Sequence, residues 1–192
     1  MTRLILASTS PYRRELLARL GVPFDVAAPG TDEFRRPGED PKEMVSRLAR
    51  DKAAAVARNH EDSLIIGSDQ CAVLGGHVLG KPGSFDKAVS QIAAASGHSV
   101  RFLTAVCVHE AGSGRIREAV DETIVRFRKL DDAEIRRYVD REQPLDCAGS
   151  FKSEGLGITL FEYIENRDPT ALMGLPLIAL AGLLRDAGLV LP

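Results

Sequence analysis

The stretch from Leu64 to Gln70 constrains the fold more than any other part of the sequence. It begins with the continuous apolar run Leu-Ile-Ile, which is typical of a strand buried on both faces of an α/β sheet. Gly67, Ser68, Asp69 and Gln70 follow directly. Because ligands of such sheets bind beyond the carboxyl ends of the strands, we predict a short strand that ends near Asp69, with this acid at a binding edge. The alternative is an Asp that only caps a turn.

Composition limits the classes of protein that the chain can belong to. Its 192 residues are 44% hydrophobic, which is enough for a sizeable core, and we expect one domain over residues 1–192. The net charge of −2 excludes a strong overall electrostatic attraction to nucleic acid. No apolar run reaches 18 residues, so we expect no membrane span.

The three cysteines give an expectation for the compartment. Cys71, Cys107 and Cys147 are odd in number and show no CxxC spacing, so we interpret them as small buried apolar residues in a reducing environment. The apolar part of Met1–Ala7 is too short for a signal peptide. We therefore expect a cytoplasmic protein.

The N-terminal segment has the order of elements that binds phosphate. A predicted strand, Arg3–Ala7, is followed by a small polar loop and a helix that has Ser10 as its N-cap and Pro11 in its first turn. A helix N-terminus after such a loop gathers free backbone N–H groups. Arg13 and Arg14 lie in the first turn, where cations disfavour the helix unless an anion is bound. The alternative is that both arginines face solvent.

The next segment joins a long polar loop to a helix. We predict a strand over 22–28, a loop from Pro29 to Pro41, and a helix that begins after its N-cap Asp40 and runs to about Asn59. Lys52 lies beside the apolar stripe of this helix. Its ammonium group either extends along the surface, as is common for lysine, or reaches past the helix edge toward a cleft.

The rest of the chain alternates strand and helix signals. Two apolar runs separated by Gly75-Gly76 predict a hairpin, and Gly80–Gly83 predicts a rigid turn that holds Lys81. The remaining predicted elements are a helix capped by Ser84 or Asp86 and ending at Ala95, strands over Ser99–His109 and Arg115–Arg128 that form an antiparallel ribbon, a helix from Asp131 or Asp132 to Arg141, a last strand over Ile158–Phe161, and a helix over Leu177–Asp186. We interpret this pattern as one α/β unit with two closely joined lobes and a cleft between them.

Several of these stretches together resemble a known family. Leu6–Arg14 is similar to the N-terminal signature of Maf-like nucleotide pyrophosphatases, and Cys147–Gly157 resembles the 7-methyl-GTP pyrophosphatase branch of that family in particular. The further matching pieces, in the order and spacing of the family, are Asp32-Glu33, Lys52, Gly67–Gln70 and Gly80-Lys81-Pro82. The resemblance covers nearly the whole chain.

The resemblance implies a fold, a reaction and an assembly. The implied fold is an elongated α/β structure, a mixed sheet flanked by helices with two lobes and a deep cleft, similar to inosine triphosphate pyrophosphatases. The implied reaction is hydrolysis of a nucleoside triphosphate to the monophosphate and diphosphate with a divalent cation, Mg²⁺ or Mn²⁺, and in this branch the substrate would be 7-methyl-GTP. The resemblance also implies a homodimer.

The residues suggest how such a site would handle a triphosphate. Asp69 and Glu33 are the candidate acid pair that would hold the metal and orient or deprotonate the attacking water, and the family parallel makes Asp69 the proton acceptor. Candidates for binding the phosphates and stabilising charge are Arg13, Lys52 and Lys81, together with Ser8 and Arg14. The alternatives are that Glu33 is a surface acid of a loop and Lys81 a turn residue.

Three further residues are candidates for reading the base. An ionised Glu154 would accept both N–H groups of the guanine Watson–Crick edge, and Tyr12 would supply an aromatic face to the cationic ring of 7-methylguanine, an interaction worth about 0.5–2 kcal/mol. Gln70 adds an amide beside Asp69. Lys152 would contact either a phosphate or Glu154. The four histidines show no ligand spacing.

Two other functions remain open from the sequence. One keeps the reaction and changes the substrate to dTTP or UTP, although the loop from Ser150 to Glu154 argues against it. The other is a nucleotide-binding regulator of cell division without catalysis. The acid pair and the lysines favour chemistry, because a binding module needs no acid that activates water.

Overall fold

The computed structural model describes residues 3–191, in which five α-helices and seven β-strands follow one another along the chain. Residues 1 and 2, which open the segment considered above as a signal peptide, lie outside the described residues. The helices are α1 Pro11–Ala18, α2 Pro41–Ala57, α3 Phe85–Ala95, α4 Asp132–Glu142 and α5 Leu177–Asp186. The strands are β1 Arg3–Ala7, β2 Asp25–Ala27, β3 Ser63–Leu74, β4 His77–Leu79, β5 Ser99–Glu110, β6 Ile116–Phe127 and β7 Phe161–Glu165.

The strands form one mixed sheet in the order β2-β1-β3-β5-β6-β7, with β4 paired to β3. β1 runs parallel to both of its neighbours, and Leu6 lies opposite Ile66 of β3. β4 and β7 pair antiparallel to β3 and β6. This arrangement confirms the predicted mixed α/β sheet flanked by helices. No helix among residues 3–191 combines the length and apolar character needed to cross a bilayer.

The helix signals in the sequence are confirmed where they depend on local chemistry. The side chain of Ser10 accepts a hydrogen bond from the backbone N–H of Arg13, and that of Asp40 accepts from Lys42 and Glu43. Each cap satisfies N–H groups that a helix start leaves without partners. Helices α3 and α4 likewise begin after their N-caps Ser84 and Asp131.

Three strand predictions are wrong, each for a physical reason. β3 does not end near Asp69 but continues to Leu74, because its second half pairs with β4 across the hairpin. The strand predicted over 22–28 shrinks to Asp25–Ala27, the three residues of that stretch that pair with β1. The run Ile158–Phe161 belongs mostly to a 3-10 helix, Leu156–Leu160, and β7 begins only at Phe161.

The chain divides into two compact units. The first comprises the residues up to Gln70, Thr104–Asp121 and the residues from Asp168 onward; the second comprises Cys71–Leu103 and Glu122–Arg167. In the first unit, α1 and α5 bury leucines against β1, β3 and β5. The members of that core are Leu4, Leu6, Leu16, Leu17, Leu64, Ile66, Val106, Val108, Leu175, Leu177, Leu180 and Leu184.

The second unit has a core built around phenylalanines. Phe151 packs edge to face against Phe102, Phe127 and Phe161, with ring centroids 4.8–5.7 Å apart. Such contacts stabilise beyond the area that the rings bury. Phe151 therefore fixes the start of the segment that carries Glu154.

Candidate active site

The alternation of β3 decides where Asp69 points. Leu64 and Ile66 lie in the core that β3 shares with α1 and α5, so Gly67 and Asp69 face the opposite side of the sheet. There α2 lies so close to the strand that a β-carbon at Gly67 would overlap the carbonyl oxygen of Ala49. Only glycine permits this approach. It brings Lys52, about one helical turn beyond Ala49, to the carboxylate of Asp69.

Lys52 joins the two predicted acids. Its Nζ lies 2.7 Å from Oδ1 of Asp69 and 2.6 Å from Oε1 of Glu33. The whole lysine residue is only 4% exposed, so of the two alternatives for Lys52 the structure excludes the side chain that extends along the surface. The carboxylates satisfy the buried ammonium group. The side chain of Glu33 is 58% exposed. Two carboxylates on distant parts of the chain thus converge on one point.

The surroundings of Asp69 set its acidity. Burial raises the pKa of Asp69 above its ordinary value, since the charged form loses hydration. The positive charges of Lys52 and Arg13 oppose this shift, whereas the negative charge of Glu33 adds to it. A buried carboxylate with a raised pKa is a stronger base than an exposed aspartate.

Arg13 approaches the same group of charges from α1. Its Nε donates to the carbonyl oxygen of Gly174 at 2.9 Å, and the hydroxyl of Ser68 donates to the same oxygen at 3.0 Å. Gly174 has a φ of 110°, in the region that favours glycine. Burial lowers the pKa of Arg13, and the charges of Asp69 and Glu33 counteract this.

Gln70 makes contacts of a different kind from those predicted for a base reader. Its Nε2 lies 2.9 Å from the carbonyl oxygen of Ala171, 3.1 Å from that of Leu172 and 2.9 Å from the hydroxyl oxygen of Thr104. These contacts tie β3 to the segment before α5. Any contact of Gln70 with a base would therefore involve its carboxamide oxygen.

The predicted phosphate loop lies at a pocket of its own. Ser8, Ser10 and Arg14 line a cavity of about 970 Å³ that also has Phe24 and Asp25 in its wall. Ser8 is buried, and its hydroxyl oxygen accepts a hydrogen bond from the backbone N–H of Ser10 at 3.1 Å. The lining of this pocket does not include the residues that meet at Lys52. Tyr12, the neighbour of Arg13, is half-buried.

The other predicted site residues belong to the second unit. Lys81 is exposed, on a turn held by a hydrogen bond from the backbone N–H of Gly83 to the carbonyl of Leu145. Glu154 is also exposed, and its Oε2 accepts from the hydroxyl of Ser153 at 3.2 Å. The ammonium group of Lys152 lies 3.9 Å from the carboxylate of Glu142, a partner that the sequence analysis did not consider.

Two residues that the sequence did not single out, Gly174 and Arg47, help to build this site. Gly174 supplies the carbonyl that Arg13 and Ser68 share, and Arg47 of α2 binds the loop that carries Glu33. Gly174 lies between two apolar runs, where it marks a turn. Arg47 borders the apolar stripe of α2, a position that often keeps a charged head group near the surface.

Glu33 and Asp69 are the residues of this site whose chemistry suits a divalent cation. The carboxylates of Glu33 and Asp69 both reach within 2.7 Å of one atom, and carboxylate oxygens are the ligands that Mg²⁺ and Mn²⁺ prefer. No cluster of three or more histidine, cysteine or acidic residues that could hold a metal occurs within residues 3–191. A two-carboxylate site leaves other coordination positions to water and substrate phosphates, as is usual for Mg²⁺.

Comparison with known proteins identifies the family and the fold of this chain. The Maf-like protein family model matches residues 3–187. The protein from Coxiella burnetii called HAM1 has the same fold, with a TM-score of 0.53 over 97% of this chain and all of that one, at 12% sequence identity. The chain belongs to the Maf-like protein family.

Three relatives of this chain are named 7-methyl-GTP pyrophosphatase. A 7-methyl-GTP pyrophosphatase of Xanthomonas axonopodis pv. citri is 56% identical over all 192 residues of both chains, and one of Pseudomonas aeruginosa is 52% identical over the same length. That of Alcanivorax borkumensis is 54% identical and covers 98% of this chain and 96% of its own. The chain is thus similar to these enzymes throughout its length.

Proposed function

We propose that this protein hydrolyses 7-methyl-GTP to 7-methyl-GMP and diphosphate, which would remove a modified nucleotide from the pool. The observation that carries the reaction is the buried carboxylate of Asp69, 2.7 Å from Nζ of Lys52, with Glu33 on the same ammonium group. Family relatives named 7-methyl-GTP pyrophosphatase support the choice of substrate.

Asp69 is the proposed proton acceptor. A water molecule near its carboxylate would lose a proton to it as the water oxygen attacks phosphorus. The raised pKa of Asp69 makes it a stronger base than an ordinary aspartate. Glu33 and Asp69 are the proposed ligands of a divalent cation, which would polarise phosphoryl oxygens and acidify bound water.

The proposed cationic residues stabilise charge on the phosphates. A nucleoside triphosphate is strongly anionic, and its transition state spreads charge over the oxygens of the reacting phosphoryl group. Lys52 and Arg13 lie beside Asp69 in the structure, and Lys81 is proposed to act with them. Ser8 and Arg14 are proposed to bind the substrate through the pocket that they line.

Base recognition is assigned to Tyr12, Gln70 and Glu154. The exposed carboxylate of Glu154 would accept the two N–H groups of the guanine edge and would favour the positive ring of the methylated base. Tyr12 would stack on that ring, and Gln70 would contact the base through its oxygen. We further propose that the enzyme acts in the cytoplasm as a homodimer.

A substrate panel tests the proposal. Diphosphate release would be measured from 7-methyl-GTP, GTP, dTTP, UTP and CTP with Mg²⁺ or Mn²⁺, for the wild type and for Asp69→Asn. We expect preference for 7-methyl-GTP and a loss of about 10²- to 10⁴-fold in Asp69→Asn, the range that a general base contributes. Asp62→Asn is the matched control, because Asp62 is an exposed aspartate just before the same strand.

The other outcomes of the panel separate the alternatives. Preference for dTTP or UTP with Asp69 still essential would keep the reaction and overturn the account of Tyr12 and Glu154. A folded wild type that binds nucleotides and releases diphosphate from none of them would favour the regulator.

A further inference from the structure

The loop 28–40, which we call the Glu33 loop, presents a problem of positioning. It forms neither helix nor strand, and most of its residues are exposed, including the ring of Phe34 at 82%. Yet it holds Oε1 of Glu33 at 2.6 Å from Lys52. A long exposed loop loses much conformational freedom when one side chain is fixed. Other contacts must therefore hold the loop where Glu33 meets Lys52.

Arg47 of α2 supplies those contacts. Its Nε lies 2.6 Å from Oε1 of Glu39 and its Nη2 lies 2.8 Å from Oε2, which makes a two-point ion pair. The two side chains are only 13% and 9% exposed. Nη2 also donates to the carbonyl oxygen of Phe34 at 3.1 Å. One guanidinium group thus binds the loop at its far end and at the residue that follows Glu33.

Glu39 extends this anchorage through the rest of the loop. Its carboxylate accepts the backbone N–H of Arg36 at 3.0 Å, and its carbonyl oxygen accepts from Nη2 of Arg35 at 2.7 Å. The backbone N–H of Glu39 donates to the carbonyl of Arg36. The stretch from Phe34 to Glu39 is therefore cross-linked to itself and to α2.

We propose that the Arg47–Glu39 pair is a positioning device that holds the carboxylate of Glu33 beside Lys52 and Asp69 for cation binding. The inference rests on the proposed function in so far as Glu33 is a metal ligand there. Arg47 and Lys52 lie on the same helix, so α2 fixes both the loop backbone and the side chain that Glu33 meets. Replacing a residue that orients a metal ligand typically lowers metal affinity or activity by about 10- to 100-fold.

The chemistry of the pair suits this task. The hydrogen bonds from Arg47 lower the pKa of Glu39 to about 2, so the pair stays ionised under any ordinary assay condition. A planar guanidinium group can bind both carboxylate oxygens and still reach a carbonyl, whereas an ammonium group cannot keep this geometry. Arg47→Lys therefore keeps the positive charge but loses the planar group that binds both carboxylate oxygens of Glu39.

The test measures cation binding without turnover. Mn²⁺ would be titrated into the protein by calorimetry, with no nucleotide present, for Glu39→Gln, Arg47→Lys, Glu33→Gln and the double variant Glu33→Gln/Glu39→Gln. We expect each single variant to bind Mn²⁺ about 10- to 100-fold more weakly. We expect the double variant to bind no more weakly than Glu33→Gln, because Glu39 acts through Glu33.

Two further readouts report the loop and the reaction. Trypsin should cut the Arg35–Arg36 bond faster in Glu39→Gln and Arg47→Lys, since the loop is no longer held. In the assay of diphosphate release from 7-methyl-GTP, both variants should need a higher Mn²⁺ concentration than the wild type to reach half of the maximal rate. The KM for the nucleotide should change much less. Arg50→Lys is the control, because Arg50 on the same helix donates through Nη1 to both carboxylate oxygens of Glu118, and both side chains are 41% exposed.

The outcomes separate this inference from the proposed function. The inference is overturned if Glu39→Gln and Arg47→Lys fold and bind Mn²⁺ with wild-type affinity. It is also overturned if Glu39→Gln weakens Mn²⁺ binding as much in the Glu33→Gln variant as in the wild type. If Glu39→Gln does not fold, Arg47→Lys decides alone. If the wild type releases no diphosphate but the single and double variants show the expected Mn²⁺ affinities, the proposed reaction is overturned and the positioning role is supported.

Discussion

Two segments of the molecule carry a proposed functional acid, and they are held in opposite ways. In the first unit, the Glu33 loop is bound by the partly buried guanidinium group of Arg47, and its acid forms an ion pair with Lys52. In the second unit, residues 151–157, which we call the Glu154 loop, are bound by the partly buried carboxylate of Glu142. Oε2 of Glu142 accepts the backbone N–H of Leu156 at 2.6 Å.

The Glu154 loop is anchored by the packed ring of Phe151 and by hydrogen bonds of its backbone. The N–H of Lys152 donates to the hydroxyl of Tyr138 at 3.1 Å, and the N–H of Gly157 donates to the carbonyl of Lys152 at 3.1 Å. Its acid, Glu154, stays on the surface, with the hydroxyl of Ser153 as a hydrogen-bond donor. This loop fixes a backbone and leaves a charged acceptor exposed.

The difference indicates two kinds of task. A carboxylate already paired with a buried cation contributes to a fixed distribution of charge, which every triphosphate would meet alike. A carboxylate on the surface, on a fixed backbone, can discriminate among ligands by its hydrogen bonds. Changes around Lys52 should therefore affect all substrates, whereas changes around Glu154 should affect the choice among them.

Of the substitutions that compare the two loops, Lys52→Met is expected to have the largest effect. It leaves Asp69 buried without the ammonium group at 2.7 Å, and breaking a buried pair from one side costs about 3–5 kcal/mol of stability. Hydrolysis of every triphosphate should fall by about 10²- to 10³-fold, the cost of one group that stabilises developing charge. Urea denaturation and diphosphate release measure the two effects, with Lys42→Met at the exposed start of the same helix as the control.

The activity and the stability of Lys52→Met should both depend on pH in a defined direction. Lys52 lowers the pKa of Asp69, so its removal should raise that pKa further and move the acid limb of the rate profile to higher pH. The loss of stability should shrink as the pH falls, because protonated Asp69 carries no unpaired charge. A stability loss that stays constant down to pH 4 would contradict this account of Lys52 and Asp69. A loss of activity with only one nucleotide would contradict it as well.

Glu154→Gln should have a smaller and selective effect. Hydrogen bonds to a charged group contribute about 1.5–3 kcal/mol, which corresponds to about 10- to 100-fold in the preference for 7-methyl-GTP over dTTP. The rate with dTTP should change little. The ratio of kcat/KM for the two substrates is the measurement, and Glu162→Gln, at an exposed position of β7, is the control. An equal loss on every nucleotide would remove the distinction between the two regions.

The sequence predicted the elements whose boundaries depend on neighbouring residues. Ser10, Asp40 and Ser84 cap helices as expected, since a cap needs only a side-chain oxygen and the next few N–H groups. The same holds for the hairpin at Gly75-Gly76, where Ala72 pairs with Leu79. Such local signals place the scaffold without knowledge of what packs against it.

The errors occur where distant contacts override local signals. Ser68, Asp69 and Gln70 look like the polar end of a strand, yet the strand continues because each side chain finds a partner from elsewhere in the chain. Lys52 is buried for the same reason. The pairing of Glu39 with Arg47 could not be distinguished in the sequence from other combinations of acids and bases in and beside the loop.

Gly155→Ala should have the smallest effect and would sharpen the account of the Glu154 loop. A β-carbon at Gly155 would lie 2.6 and 2.9 Å from the carboxylate oxygens of Glu142, so that carboxylate must shift and weaken its bond to the N–H of Leu156. A shift of a flexible side chain is at the lower end of overpacking costs, about 1 kcal/mol. We expect a drop in thermal stability and a change of about fivefold in selectivity for 7-methyl-GTP.

Gly182→Ala is the matched control for that substitution. Gly182 lies inside α5, and a β-carbon there meets nothing within 4 Å, so alanine should stabilise the protein by about 0.5–1 kcal/mol through its helix preference. Selectivity should not change in the control. If Gly155→Ala lowered hydrolysis of all nucleotides equally while keeping their ranking, the Glu154 loop would contribute to catalysis as the Glu33 loop does. The contrast between the two loops would then lie in their anchoring alone.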